Sequence, residues 1–434
     1  MFRFARVLFV VFVCQIGFAN AVGGFNIEAK ELLIGGKKVF SIPFKGVKVV
    51  TVQIGFKNAG QKLSPKGKEA LVALLEGALC ETTSLKSRAQ ILAFMREYNL
   101  VVDINSSDDN FIISGTCPSK NVKFLLELIE ELIFKAEFLE RDLQRVKQQI
   151  AAEFMQVLQN PIVQMEELVK QTIMANHPYG CSIGQYAKSL SAIKVNDLKK
   201  FISTNFTFEN VHVAISGEVD ESVITEAIAA FVAKLPKKFT HPTIPNIDLP
   251  ADYKLHHKNY DVPQTIVKVI HKGIDMHHPD FLALQIASLC LSNSTSGVLW
   301  KAVRESGGLA YDVAIRFDIR DHFSVFGIAT ATATKNVDAV LKLIHEVLAD
   351  VSTKGFSEEN FALVKASFLG NYKRSFSSSK NIATRFLSYS MNGFSKDRYQ
   401  QIIKGVEALT VADVNQAFKK FFDISCMHVF TVGR

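Results

Sequence analysis

Four prolines fall within residues 235–250, LPKKFTHPTIPNIDLP, and the apolar residues between them follow no helical or strand period. Proline removes a backbone donor and drives the residue before it out of the helical region, so this stretch is extended and belongs to no helix or sheet interior. A chain of 434 residues is too long for one ordinary domain. The proline stretch therefore divides it, with a linker at 237–250 separating a half at 22–236 from a half at 251–434.

The two sides carry one order of elements. On the first, alternating VVTVQIGFKNAG (49–60) predicts a strand, 66–80 and 85–98 predict helices, and VVDINSSDDNFIISGTC (101–117) predicts strands. Amphipathic helices over 121–136 and 140–158, a strand over 210–220 and a helix over 221–234 follow. On the second side a strand at 264–273, helices at 279–291 and 295–306, strands over 309–332, helices at 335–353 and 357–374 and a strand at 425–433 repeat that order. FSSSK (376–380) is a short polar turn. Such a repeat is the mark of a duplication. Neighbouring strands with helices grouped beside them predict an α+β fold, each half a mainly antiparallel sheet flanked by helices, rather than a doubly wound parallel sheet. Apolar residues at 48% and charged residues at 21% supply such a core and exclude a fibrous or disordered chain.

The N-terminus, MFRFARVLFVVFVCQIGFANA, has Arg3 and Arg6 ahead of an apolar run and ends on the small-x-small triplet Ala19-Asn20-Ala21. This is the layout of a signal peptide, 1–21, cleaved after Ala21. The apolar run is shorter than the ~20 residues of a spanning helix, which excludes a stable membrane span there. The mature chain is thus expected to be exported, to the periplasm of a Gram-negative bacterium or otherwise secreted. Val13 before Cys14 is β-branched, which argues against a lipoprotein. Cleavage leaves 48 basic against 42 acidic residues and five cysteines, Cys80, Cys117, Cys181, Cys290 and Cys426. They form no CxxC pair, so they read as core thiols rather than a zinc ribbon or redox site. The basic residues form no dense cluster, which argues against nucleic acid as a partner.

EALVALLEGALC (69–80) reads as a helix that keeps Glu76 among apolar side chains. An unpaired buried carboxylate is costly, so Glu76 faces a cleft or has a partner. Peptidases with HxxEH set two histidines one helical turn apart on zinc, with a glutamate between them that activates water. Here those two positions are Ala73 and Gly77, and the first histidine of the chain is His177. His256-His257 and His277-His278 are adjacent pairs whose side chains point in different directions, and they read as surface or turn residues. Asn205, in NFT, is a glycosylation acceptor only in a host that glycosylates.

ALVALLEGALCETT (70–83) resembles the GLAHxLEHMxFxGT segment of the insulinase/pitrilysin family of zinc peptidases, with Ala73 and Gly77 in the histidine positions. IAAEFMQVLQNP (150–161) places Glu153 where that family has its third, glutamate ligand. NHPYGCSIGQYAKSLSAIKVNDLKKFISTNF (176–206) resembles the family's HPYG segment, and VHVAISGEVD (211–220) its closing strand. LSNSTSGVLWKAVRESGGLAYDV (291–313) resembles LGGGxSSRLxxELREKRGLAYSV, with Arg304 and Tyr311 matching the family's arginine and tyrosine and Ser292, Asn293 and Ser294 standing where it has glycines.

The resemblance covers essentially the whole mature chain and implies two homologous halves forming half of a clamshell. It implies no metal in this chain, since Ala73, Glu76, Gly77 and Glu153 are what remains of the zinc site. Some members of the family work as pairs, one chain carrying HxxEH and zinc, the other the Arg/Tyr pair. The present chain resembles the second kind, a heterodimer subunit without peptidase activity of its own. Arg304 and Tyr311 would then bind a peptide or unfolded polypeptide and stabilise its oxyanion, with residues 292–294 at the substrate. Two alternatives stay open: an inactive peptide-binding or scaffolding homologue, and a stand-alone zinc peptidase with a metal site of another kind.

Overall fold

The computed structural model describes residues 27–240, 242–250, 253–305 and 308–434. The expected signal peptide lies outside them. In chain order the elements are β1 (Lys30–Ile34), β2 (Lys37–Ile42), β3 (Val49–Phe56), α1 (Leu71–Ala78), α2 (Arg88–Glu97), β4 (Val101–Ser106), β5 (Phe111–Pro118), α3 (Val122–Phe134), α4 (Glu140–Val157), α5 (Pro161–Ile173), α6 (Ile183–Ser189), α7 (Val195–Asn205), β6 (Val211–Ser216) and α8 (Glu221–Lys234). There follow β7 (Lys254–Asn259), β8 (Thr265–Lys272), α9 (Phe281–Ser292), α10 (Val298–Glu305), β9 (Ala310–Arg320), β10 (Phe323–Thr332), α11 (Val337–Lys354), α12 (Glu358–Arg374), α13 (Ser379–Met391), α14 (Arg398–Ala408), α15 (Val411–Phe421) and β11 (His428–Gly433).

The fold is α+β, as the sequence predicts. The first sheet has the order β1-β2-β6-β3-β5-β4 and the second β7-β11-β8-β10-β9. Among the described residues only β2–β6 and β7–β11 pair in parallel. Aligning β7, β11, β8, β10 and β9 with β2, β6, β3, β5 and β4 superimposes the two orders, parallel pair on parallel pair, which is the duplication expressed as topology.

The chain forms two compact units, and each draws on both halves of the sequence. Unit 1 takes the chain up to Leu158, Ile183–Pro242 and Ser375–Arg398; unit 2 takes Gln159–Ser182, Thr243–Arg374 and Tyr399–Arg434. The halves 22–236 and 251–434 thus exchange one helical segment each. In unit 1, β3 explains the exchange. Val50, Val52, Ile54 and Phe56 point into the core beneath α1, α3 and α4. The alternate residues face α13 instead: Thr51 Oγ1 lies 3.0 Å from Ser379 Oγ, Gln53 Nε2 donates to Thr384 Oγ1 at 3.0 Å, and Gly55 makes room for Leu387 and Met391. β3 is therefore buried on both faces, although its sequence alternates apolar and polar.

In unit 2, Val267, Val269, Val313, Ile315, Phe326, Ile328 and Val429 pack under α9, α10 and α11. On the opposite face Phe430 and Val432 meet Met165 and Val169 of α5. Lys268, on β8, pairs with Glu166 of α5 at 2.7 Å. Among its described residues the proline stretch holds no helix or strand. Its early part is tied to unit 1, through Phe239 N–H on Glu209, and its later part to unit 2, through Ile247 N–H on the His322 carbonyl.

Candidate functional site

In unit 1, the four positions of the expected zinc site fall on α1 and α4. Ala73 is buried, and its methyl group offers no donor atom. At Gly77, which is exposed, a Cβ would lie 2.9 Å from Val146 Cγ1 and 3.3 Å from Ile150 Cδ1, both on α4. Glu76 Oε2 accepts the Ser106 backbone N–H at 2.9 Å and the Ser106 hydroxyl at 2.6 Å. Glu76 thus has a partner on β4, which resolves the choice its sequence poses. Glu153, half-buried on α4, accepts from Gln149 Nε2 at 3.0 Å.

Zinc sites are built from imidazole, thiolate and carboxylate donors, typically three or four of them around one ion. Two of the four positions here carry no donor and one of the two carboxylates, Glu76, is engaged by Ser106, so these residues do not fit zinc. Among the described residues no group of three or more His, Cys, Asp or Glu is arranged to hold a metal ion. That leaves the stand-alone zinc peptidase without a donor set among those residues.

Unit 2 carries the other expected pair. Arg304 lies in the last turn of α10, exposed, with its guanidinium carbon 4.9 Å from the centre of the Trp300 ring and 5.9 Å from that of Tyr311. The structure therefore brings Arg304 and Tyr311 side by side. It does so by a device the sequence conceals. β9 pairs with β10 in a register that slips between Thr330, opposite Val313, and Thr332, opposite Ala310. Two residues, Tyr311 and Asp312, stand across from Ala331, and this β-bulge leaves both exposed. Hydroxyls of β10 hold it: Thr330 donates to the Asp312 carbonyl at 2.6 Å and Thr332 to the Leu309 carbonyl. Tyr311 is 74% exposed, an unusual place for a phenol with no packing role.

In the loop before α10 the side chains of Ser292 and Asn293 are engaged by the backbone. Ser292 donates to the Ser288 carbonyl at 2.9 Å, and Asn293 Oδ1 accepts from the N–H groups of Thr295 at 2.9 Å and Ser296 at 3.2 Å. Ser294 is exposed. Gly297 is required here, because a Cβ would lie 2.5 Å from the Asn293 nitrogen.

The remaining candidates are structural. In the HPYG segment the N–H of Tyr179 donates to His177 Nδ1, whose Nε2 meets the Pro245 carbonyl at 3.0 Å, so the motif ties its own turn and the linker together. A Cβ at Gly180 would fall 1.8 Å from the Met174 carbonyl oxygen. His256 and His257 lie on the edge strand β7, and His277 and His278 in the turn before α9. The described cysteines are free thiols. Burial pushes Cys117 and Cys290 up to about 12, which makes them inert. The Asn205 side chain donates to the Phe201 carbonyl at the end of α7. No helix among the described residues is long and apolar enough to cross a membrane.

Residues 192–368 match the family described as peptidase M16 inactive domain. YmxG of Bacillus subtilis, an uncharacterized zinc protease, is 21% identical over 349 residues, 80% of this chain and 84% of that one. A non-peptidase homolog of the same name from Helicobacter pylori is 21% identical over 381 residues, 86% of each chain. The crystal structure of a peptidase M16 inactive domain from Pseudomonas fluorescens matches with a TM-score of 0.85 at 22% identity, covering 94% of this chain and 98% of that one. The two relatives' names disagree on activity; in the present chain Ala73 and Gly77 are the residues that bear on it, and neither carries a donor atom.

Proposed function

We propose, from its likeness to the M16, insulinase-type peptidases, that the chain is the zinc-free subunit of an exported two-chain peptidase. It presents Arg304 and Tyr311 to a peptide held with a zinc-bearing HxxEH partner. The observation that carries this reading is a contrast within one molecule. The zinc positions carry no donor atom at Ala73 or Gly77, and the Glu76 carboxylate is engaged by Ser106. The Arg/Tyr positions, by contrast, are exposed and set together by a β-bulge held in place by two threonines.

The chemistry of the pair follows from its donors. A guanidinium is a rigid fork of N–H groups that grips a carbonyl or carboxylate, and a phenol donates one O–H. Donors aimed at a carbonyl oxygen as it gains charge each contribute about 3 kcal/mol to a transition state. On this reading Arg304 and Tyr311 hold the substrate carbonyl and stabilise its oxyanion, while the partner supplies zinc and the general base. No nucleic acid enters this function.

The test is cleavage of a quenched fluorescent peptide pool by residues 22–434, alone and mixed with an HxxEH-bearing homologue from the same organism. Activity above that of the homologue alone, lost on Arg304→Ala by about a hundredfold, is the expected result. A homologue fully active by itself, with no gain on mixing, would point to the second reading, a peptide-binding or scaffolding protein. The side chains at Ser292 and Asn293, bonded to the loop backbone, favour that reading, because they stand where glycines would let a peptide backbone approach.

A further inference from the structure

We infer that Trp300 is a positioning residue for Arg304, an aromatic floor that fixes the guanidinium before a peptide arrives; this rests on the reading of Arg304 and Tyr311 as the substrate-facing pair. Trp300 and Arg304 are four residues apart on α10, so they share one face of the helix. The guanidinium carbon lies 4.9 Å from the indole centre, within the range of a cation–π contact, and Arg304 makes no hydrogen bond or ion pair with another described residue. Among the described residues, the two aromatic faces are therefore its contacts.

Of the two faces, the indole is the firm one. Trp300 is half-buried and packs against the core of unit 2, to which its helix neighbours Leu299 and Val303 belong, both fully buried. Tyr311 lies farther, at 5.9 Å, and is largely exposed, so it moves with the substrate rather than anchoring the arginine. A long side chain that is already held loses less freedom on binding, and the affinity gained comes from that pre-organisation rather than from a new contact. Exposed Tyr311 and held Arg304 thus have separate tasks, and Trp300 serves the second without touching the peptide.

The chain has one tryptophan, so its emission reports this contact alone. The experiment uses residues 22–434 and fluorescein-labelled casein peptides, with binding read by anisotropy and the indole by its own fluorescence. Arg304→Ala should shift Trp300 emission with no peptide present. Trp300→Leu and Arg304→Ala should each weaken binding about tenfold, with the double variant no weaker than either, since both act through one arm. Trp300→Phe, which keeps an aromatic face, should stay within about threefold of the parent chain. If Trp300→Leu does not fold, Trp300→Phe and the emission shift decide: an unmoved emission together with a tenfold loss in Trp300→Phe overturns the role. Undiminished binding by Trp300→Leu beside weakened binding by Arg304→Ala also overturns it, and leaves the Arg/Tyr reading standing. Undiminished binding by Arg304→Ala and Tyr311→Phe, or no binding by the parent chain, overturns that reading and this inference together.

Discussion

At position 76 a carboxylate sits one helical turn from where an imidazole would be, and its oxygen is taken by the amide and hydroxyl of Ser106. It fastens α1 to β4. Charge-assisted hydrogen bonds of this kind contribute about 1.5–3 kcal/mol each to stability. Glu76→Ala should therefore lower the stability read from the urea midpoint by about 2 kcal/mol, while Glu76→Gln, which keeps an acceptor, should lose under about 1 kcal/mol. A Glu76→Ala chain as stable as its parent would remove this role. The sequence exposes the problem, a carboxylate in an apolar run, but not the solution, since Ser106 lies on another element. Arg304 and Tyr311 are legible through the spacing of a whole segment. Trp300 is not, because an aromatic on an amphipathic helix reads as core until its neighbour's guanidinium is seen above it.

Elements with a strong period were legible, and their bounds moved little: the helix expected over 221–234 is α8, and the strand expected over 264–273 is β8. Three kinds of element were not. The β1–β2 hairpin turns on Gly35 and Gly36, both with positive φ, a two-residue turn between strands too short to show a period. β7, KLHHKN, is a polar edge strand whose place comes from pairing with β11 rather than from any alternation. α13 carries polar residues on its buried side because it meets the Thr51–Gln53 face of β3. One of its contacts gives this junction a pH dependence. His212, on β6, meets Ser390 Oγ at 2.8 Å, and burial, then Lys37 and Lys57, push its imidazole down to about 4. The folded chain keeps this ring neutral, whereas the unfolded chain takes up a proton near pH 6.5. Stability is full above that value and falls as the pH drops toward about 4. Between about pH 7 and pH 5 the loss from this group is about 2 kcal/mol. His212→Gln should flatten the urea-derived stability profile by that amount, and parallel profiles for parent and variant would show that the ring is not held neutral. Buried His271, also shifted down by burial, contributes in the same direction.

For the molecule as a whole, the sequence places a division at the proline stretch, and the two sheets share one strand order. What the sequence does not disclose is that each half completes the other's sheet with a helix. Hydrophobic period reports that a face is covered, never by which segment, so 159–182 and 375–398 read as belonging to their own halves. The consequence is a chain whose units are not separable by a cut at the linker. Residues 27–242 keep the core of unit 1 but lack α13, leaving Phe40, Thr51, Gln53 and Gly55 without Phe386, Ser379, Thr384 and Leu387. That fragment should show no cooperative urea transition and should associate through the bared sheet face. The same fragment with 375–398 joined after residue 242 should recover a cooperative transition, because it restores every segment of the unit. Equal midpoints for the two fragments, followed by far-UV circular dichroism, would show that the exchanged helix is ornamental to unit 1 and that the halves fold independently.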